Sequence, residues 1–409
     1  MKNVAIVSEY NPFHRGHAYQ IKRIREEFGA DTRIIAIMGG HITQRGEPAI
    51  ADKYLRARVA VDAGVSLVLE LPFPFCAASA DVFARAAVSV ADSLSGIDIL
   101  SFGSESGDVL PLLKVVHRME STEFKDAFAS VSVKESYARA LEQTYSALYG
   151  NDDASILRSP NNILAIAYLR ALHQLNSRIM PHTVKREGDY ADLSVSAEYP
   201  SAAAIRNALR VGDFDSIRSA LPTETHAIWE DAFQRQLFPT DPSRLSNAFL
   251  AFLRIYKPNG LSIAESSGGL TERLCGLSMS VGTMAQLYEA AATKRYTNAR
   301  IRRAVWNLFL EVTSFEESQL PYYTQLLAMD SDGRSFLSEI RKQKRIEILT
   351  KPADYTSLPD KARAQAKKSV RADSIFSLAI PSCPPADAFL RCTPYYKNGE
   401  FARQLHPDA

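Results

Sequence analysis

Two histidines three residues apart, His14 and His17, flank Gly16 where an apolar run gives way to an amphipathic pattern. Val4-Ala5-Ile6-Val7 reads as a buried strand and Ser8-Glu9-Tyr10-Asn11-Pro12-Phe13 as the turn after it. Arg15-Gly16-His17-Ala18-Tyr19-Gln20 then opens a helix with Ile21, Ile24 and Phe28 on one stripe. Such a turn brings unpaired backbone N–H groups to the carboxyl edge of a sheet, where an anion is favoured. Gly16 removes the side chain that would hold a nucleotide off the backbone. At i and i+3 the imidazoles share one helix face, so both can donate to phosphate oxygens. In nucleotidyl transfer such groups supply no nucleophile; they stabilise charge on the α-phosphate and the departing pyrophosphate. A metal pair and a chance pattern are the competing readings. No cysteine or carboxylate cluster nearby completes a ligand set, so no protein-held metal is expected, and the flanking strand and helix weigh against chance.

The elements that must position this motif follow from alternation of β-branched runs with helical patterns up to about residue 190. Five strands are expected, at 4–7, 33–38, 66–71, 97–102 and 178–184. Ligands bind outside the carboxyl ends of such strands, and the unusual residues of this chain fall there. They are the histidine motif, Gly39-Gly40-His41 with Gln44-Arg45-Gly46-Glu47-Pro48, the stretch 72–74, Gly103-Ser104-Glu105, and Lys185-Arg186. Beyond residue 213 the pattern is mainly helical, punctuated by Pro222, Pro239, Pro242 and Pro258. The expected fold is therefore α/β: a Rossmann-like parallel-sheet domain over 1–212, followed by a mainly α-helical domain over 213–409 with a Pro-containing, irregular tail from 381.

With 409 residues, 46% of them hydrophobic, the chain can bury large cores. The apolar start is too short for a signal peptide and no uncharged run spans a membrane, which points to the cytoplasm. Cys76, Cys275, Cys383 and Cys392 are too scattered for a zinc knuckle or a disulfide framework. Net charge is only +2, yet residues 291–409 carry 19 Lys+Arg against 13 Asp+Glu while the rest carry 29 against 33. That asymmetry suits a polyanion partner or a plain solvated surface.

Other motifs each carry two readings. Ser201 can cap a helix whose small first residues, Ala202-Ala203-Ala204, leave its N–H groups open to an anion; Arg206 then reaches back to phosphate, or is a surface charge. Asn162, after Pro160, caps a helix or meets a nucleotide. Arg186 binds phosphate or ends a strand. Lys294, Arg295, Tyr296 and Arg300, around an expected helix start at Thr297, suit single-stranded RNA as cations with a stacking ring, or form a solvated face with Ile301 in the core.

Together these residues resemble the bacterial tRNA(Met) cytidine acetate ligase family over essentially the whole chain. The resemblance rests on Glu9-Tyr10-Asn11-Pro12-Phe13-His14-x-Gly16-His17, Gln44-Arg45-Gly46-Glu47-Pro48-Ala49, Phe102-Gly103-Ser104-Glu105, Pro160-Asn161-Asn162-Ile163-Leu164 and Lys294-Arg295-Tyr296-Thr297 with Arg300. It implies a nucleotidyltransferase-like domain that activates acetate with ATP as acetyl-adenylate, Mg²⁺ accompanying the nucleotide. The acetyl group would pass to N4 of the wobble cytidine of elongator tRNA(Met); neither DNA nor a membrane is an expected partner. Carried over by position, ATP would meet Val7, Ser8, Glu9, Tyr10, Asn11, Pro12, Phe13, His14, Arg15, Gly16, His17, Ala18, Tyr19, Gln20, Gly103, Asn162 and Arg186, with Ser201 and Arg206 as a late phosphate element. His14 and His17 would be catalytic. The chain departs from the family pattern at Gly39-Gly40-His41, where Ser-Gly-Asn is usual, at Ala203, where a hydroxyl is usual, and at Tyr323-Thr324-Gln325-Leu326-Leu327-Ala328, which lacks an Arg and a Gly and falls in the expected helical part. Two other readings stay open: an adenylyltransferase joining ATP to a small phosphorylated metabolite, and an RNA-binding protein with ATP as a structural ligand.

Overall fold

The computed structural model describes residues 1–131, 137–186 and 200–398. Its strands are β1 (Asn3–Ser8), β2 (Arg33–Gly39), β3 (Leu67–Leu71), β4 (Ile99–Ser104), β5 (Met180–Lys185), β6 (Tyr323–Met329), β7 (Glu347–Leu349) and β8 (Tyr395–Tyr396). They form one sheet in the order β5-β4-β1-β2-β3-β6-β7, with β8 also on β6. The first five are mutually parallel and lie within two residues of the sequence expectation. Every residue of β2 is buried, as an apolar run between two helical layers requires. Helix α1 (Arg15–Phe28) turns Ile21 and Ile24 to the sheet, and α2 (Lys53–Asp62) starts at Asp52, whose carboxylate accepts from the N–H groups of Tyr54 and Leu55. Helix α3 (Ala80–Ser93) packs on the helix Pro160–Gln174.

The segment after residue 213 is helical through Asn298–Phe309 and then returns to the sheet, which the sequence pattern does not reveal. Strand β6 runs antiparallel to β3, and Met329 pairs with Leu67. Its pattern is masked by a buried Gln325, whose amide donates to the Tyr54 hydroxyl at 2.5 Å, so the stretch expected in the helical part is a strand. The tail is not wholly irregular either, since β8 belongs to it; residues 399–409 lie outside the described residues.

A buried ionic cluster fastens this returning segment to the sheet. The Lys53 ammonium donates to both Glu70 oxygens, at 2.9 and 2.8 Å, and to Asp373 at 2.8 Å. Asp373, on the helix Asp360–Phe376, also meets His41 Nδ1 at 2.6 Å. Burial alone would push the Lys53 pKa down, but the two carboxylates outweigh it and hold it up, while burial raises Glu70 to about 7. Next to the cluster, the fully buried Arg56 donates to the carbonyls of Ala51 (3.0 Å), Glu9 (2.5 Å), Gly39 (3.2 Å) and Gly40 (2.5 Å). Burial pushes its pKa down to about 10, which leaves the guanidinium charged at neutral pH.

Lys53→Met is expected to destabilise the chain by about 3–5 kcal/mol, because it leaves two buried carboxylates facing each other without a cation. Urea unfolding followed by far-UV circular dichroism measures this; a loss below about 1 kcal/mol would mean that the cluster contributes little.

Candidate active site

At the carboxyl end of β1 the turn passes a cis Asn11–Pro12 peptide and delivers His14 as the N-cap of α1. The His14 imidazole accepts, through Nδ1, the N–H of Gly16 at 3.0 Å, and His17 Nδ1 accepts the N–H of His14 at 3.2 Å. The pair is thus a capping box made of two imidazoles. Because each Nδ1 accepts, the hydrogen-bond network assigns each proton to Nε2, leaving two outward donors with ring centroids 4.0 Å apart. Burial, with Arg186 and Arg206 nearby, lowers His14 to about 3; burial, His14 and Arg186 lower His17 well below its ordinary value. Both rings are neutral donors at pH 7. Gly16 has a further role beyond that read from the sequence: a Cβ there would stand 2.8 Å from His14 Cε1, so only glycine admits the capping ring.

His17 lines both lobes of a cleft, and His14 lines one of them. The first is walled by Phe102, Gly103, Leu164, Tyr168 and Val184, with Lys185 and Arg186 at its mouth. A Cβ at Gly103 would lie 3.1 Å from Arg186 Cγ, so the glycine lets the arginine stem cross the strand end, and Arg186 donates to Asn161 Oδ1 at 3.2 Å. The second lobe, about 400 Å³, lies toward Glu9, Tyr10, Gln44 and Arg45 and is bounded on its far side by Ala202 and Arg206. Ser201 caps the helix Ala202–Arg210 as expected, accepting from Ala204 N–H at 3.1 Å, and Arg206 donates to the Asn11 carbonyl at 2.8 Å.

Four of the five expected strand-end segments therefore converge. The fifth, 72–74, does not: it is buried, and the Phe73 carbonyl accepts from Ser369. Within 7–20, Val7, Ser8, His14, Gly16, His17, Tyr19 and Gln20 line the first lobe and Glu9, Tyr10 and Asn11 the second. Pro12, Phe13, Arg15 and Ala18 line neither; Phe13 is buried against Tyr10 and His17. Asn162 is buried behind the wall, where its amide oxygen accepts from the Glu105 and Ser106 N–H groups, while Asn161 reaches the cleft. The apolar walls Phe83 and Tyr168 were not singled out from sequence, because helical apolar residues read as core.

The loop 44–48 is held from the far segment of the chain. Arg303 donates to the Gln44 carbonyl at 3.1 Å, Trp306 Nε1–H to the Gly46 carbonyl at 3.2 Å, and Arg302 pairs with Glu47 at 2.7 Å. Gly46 has φ +74°, and a Cβ there would strike Arg303 N at 2.7 Å. These contacts come from the helix Asn298–Phe309, capped by Thr297 as expected. Just before it, Lys294 and Arg295 are exposed, but the Tyr296 ring is buried. Its hydroxyl donates to the Gly268 carbonyl, and the Arg295 and Arg300 guanidiniums lie 5.4 and 5.3 Å from its centroid. The ring expected to stack on a base is thus taken up by protein. Arg300 donates to the Glu265 and Ser267 carbonyls at 3.1 and 3.0 Å. His41, one of the departures, faces away from the cleft and stacks on Phe376. Ala203 stands in the first turn of the Ser201-capped helix.

A model of the HIGH nucleotidyl transferase family matches residues 1–388. A tRNA(Met) cytidine acetate ligase of Caldanaerobacter subterraneus is 34% identical over 391 residues, spanning 93% of this chain and 96% of that one; one from Syntrophotalea carbinolica is 36% identical over 360 residues, 86% and 85% of the two. This chain belongs to the tRNA(Met) cytidine acetate ligase family. The crystal structure of Thermotoga maritima TmcAL bound with alpha-thio ATP superposes with a TM-score of 0.89 at 29% identity, covering 97% of this chain and 99% of that one. Its apo form gives 0.91 with the same identity and coverage. The α/β architecture here is therefore that of a family member along nearly its full length.

His14, His17 and His41 are each held neutral by burial, which outweighs the Asp373 carboxylate beside His41. Their folded pKa values lie below the unfolded value near 6.5, so this stability is present above that pH and is lost as pH falls. For His14 the loss between pH 7.5 and 5.5 is up to about 1.4 kcal/mol. Glu70, raised to about 7, gains stability over the same window, so the test is a difference between proteins: paired thermal melts at pH 7.5 and 5.5 should show His14→Gln relieved of up to about 1.4 kcal/mol of this loss relative to the unaltered chain. An equal slope in that variant would contradict the burial assignment.

Proposed function

We propose that this protein is an ATP-dependent ligase that modifies tRNA. Acetate is activated as acetyl-adenylate, and the acetyl group passes to N4 of the wobble cytidine of elongator tRNA(Met). The observation that carries the first step is the pair of neutral imidazoles, each fixed through Nδ1 so that Nε2 carries the donating proton, with Arg186 and Arg206 near His14. An acetate oxygen attacks the α-phosphorus of ATP, the bond to the bridging oxygen breaks, and pyrophosphate departs with the electron pair. The protein supplies preorganised donors where negative charge grows. Neutral rings suit this, since they donate without first having to lose or gain a proton. Arg186 and Arg206 add fixed positive charge beside His14.

The base and sugar of ATP are placed over the first lobe, against Gly103 and the stem of Arg186, with the packed Phe102 and Tyr168 rings forming its floor. Among the described residues no group of three or more His, Cys, Asp or Glu is arranged to hold a metal ion, so Mg²⁺ is proposed to arrive on the nucleotide's phosphates. No helix among them is long and apolar enough to cross a membrane. For the RNA, the exposed Lys294 and Arg295 offer phosphate contacts in front of a helix that also braces the cleft. Arg300 and Tyr296 shape that turn from beneath, their polar groups being bonded to backbone carbonyls.

His14→Ala or His17→Ala should slow acetate-dependent exchange of pyrophosphate into ATP by about a hundredfold or more, as removing one such donor typically does. Near wild-type exchange in both would overturn the assignment. Lys294→Ala with Arg295→Ala should weaken tRNA binding and lower its log–log salt slope by roughly one for each phosphate that is no longer neutralised. Exchange without RNA should stay intact. Filter binding over a salt series measures the first effect, and an unchanged slope would move the RNA surface elsewhere.

A further inference from the structure

The second lobe is larger than acetate requires. Acetate has four heavy atoms and fills the space of about two or three waters of roughly 30 Å³ each, and once pyrophosphate has departed from the Arg206 end, about 400 Å³ beside His17 is left for an acceptor. Its walls are the side chains of Phe83, Ile163 and Tyr168, with Ala80 at the start of α3. Flat apolar walls with a few polar groups suit a nucleobase. Glu9 lines this lobe and not the first, and its carboxylate is anchored by the Gln44 N–H at 2.6 Å to Oε1. An ionised carboxylate only accepts hydrogen bonds, which fits an exocyclic amine such as cytosine N4 and repels the carbonyl that uracil presents at the same place.

The loop carrying Gln44 and Arg45 is also the one bound by Arg302, Arg303 and Trp306. One helix thus joins the exposed Lys294–Arg295 turn to the rim of this lobe. We infer that the second lobe receives the acceptor cytosine of the RNA, swung out of its stack, with its N4 amine on Glu9. This rests on the tRNA reading above and assigns the place of the second half-reaction. The base is single-stranded in an anticodon loop, so extrusion costs only unstacking. N4 attacks the acetyl carbon. The carbon–nitrogen bond forms, the bond between that carbon and the adenylate oxygen breaks, AMP leaves with the electron pair, and the N4 proton passes to Glu9 and then to solvent.

Ala80→Leu tests the assignment, because Ala80 is half-buried in the first turn of α3 and lines the second lobe alone. The full chain is assayed for acetate-dependent pyrophosphate exchange without RNA, and for transfer of labelled acetyl to saturating tRNA. Expected are exchange within twofold of the unaltered protein, which also shows the fold intact, and transfer at least tenfold slower. An anticodon stem-loop carrying pyrrolocytosine at the acceptor position should brighten on binding the unaltered protein and stay dim with Ala80→Leu. Transfer that falls no further than exchange overturns the inference while leaving the function standing. An unaltered protein that exchanges pyrophosphate but transfers nothing to RNA overturns the tRNA reading and this inference together.

Discussion

A sheet that opens at its carboxyl edge to admit a ligand strands backbone carbonyls there, and a single buried guanidinium resolves that problem in this fold. The β1–β2 ladder ends at Ser8 and Met38. Just beyond it, Glu9, Gly39 and Gly40 turn their carbonyls to Arg56, together with that of Ala51 from the segment entering α2. An orphaned buried carbonyl costs about 1–3 kcal/mol, so four around one cation set the course of two loops at once. One continues through Tyr10 to the histidine pair, and the other continues to Gln44 and Arg45. Both faces of the cleft therefore take their positions from a residue that touches neither lobe.

Much of this was legible in the sequence. Strands β1 to β4 stand out because parallel strands buried on both faces are short, largely apolar runs, while β5, a half-exposed edge strand, was legible only from the alternation of strand and helix patterns, and the histidine spacing marks its site locally. Strand β6 was not legible, since its pairing lies with β3, far back in the chain, and its buried Gln325 interrupts the apolar pattern. Asn162 illustrates a second limit. A motif shows that a residue matters, but not whether it meets the ligand or shapes the loop that does, and here its amide is spent on the backbone of Glu105 and Ser106. Tyr296 carries two readings in the sequence for a related reason, since adjacent aromatic and basic residues also stack on each other, as Arg295 and Arg300 do on its buried ring. His41, an oddity in sequence, is accounted for by Asp373, a partner that no local pattern could supply.

The helix Asn298–Phe309 gives the molecule its continuity. Its first turn follows the exposed basic residues and its middle grips the loop at the cleft through Arg303 and Trp306, so one element joins the two. Its inner face, with Ile301, Val305 and Trp306 buried, is close-packed, which makes this a short, stiff link. Glycine at position 46 is part of the same link, since the close approach of the helix backbone leaves no room for a side chain.

The antiparallel seam between β3 and β6 also bears on how the chain is made. Synthesis delivers β1 to β5 and the histidine motif first, and β3 then waits with an open edge until residues past 323 emerge. Lys53 and Glu70 wait longer still, for an Asp373 that is 320 residues beyond Lys53. During that interval the nascent sheet exposes an unpaired apolar strand and a Lys53–Glu70 ion pair that the carboxyl-terminal helix has yet to bury, the kind of edge that recruits other strands. Completion of the carboxyl-terminal helix is thus the event that converts a vulnerable intermediate into a closed protein, and the nascent sheet is an expected client of chaperones until then.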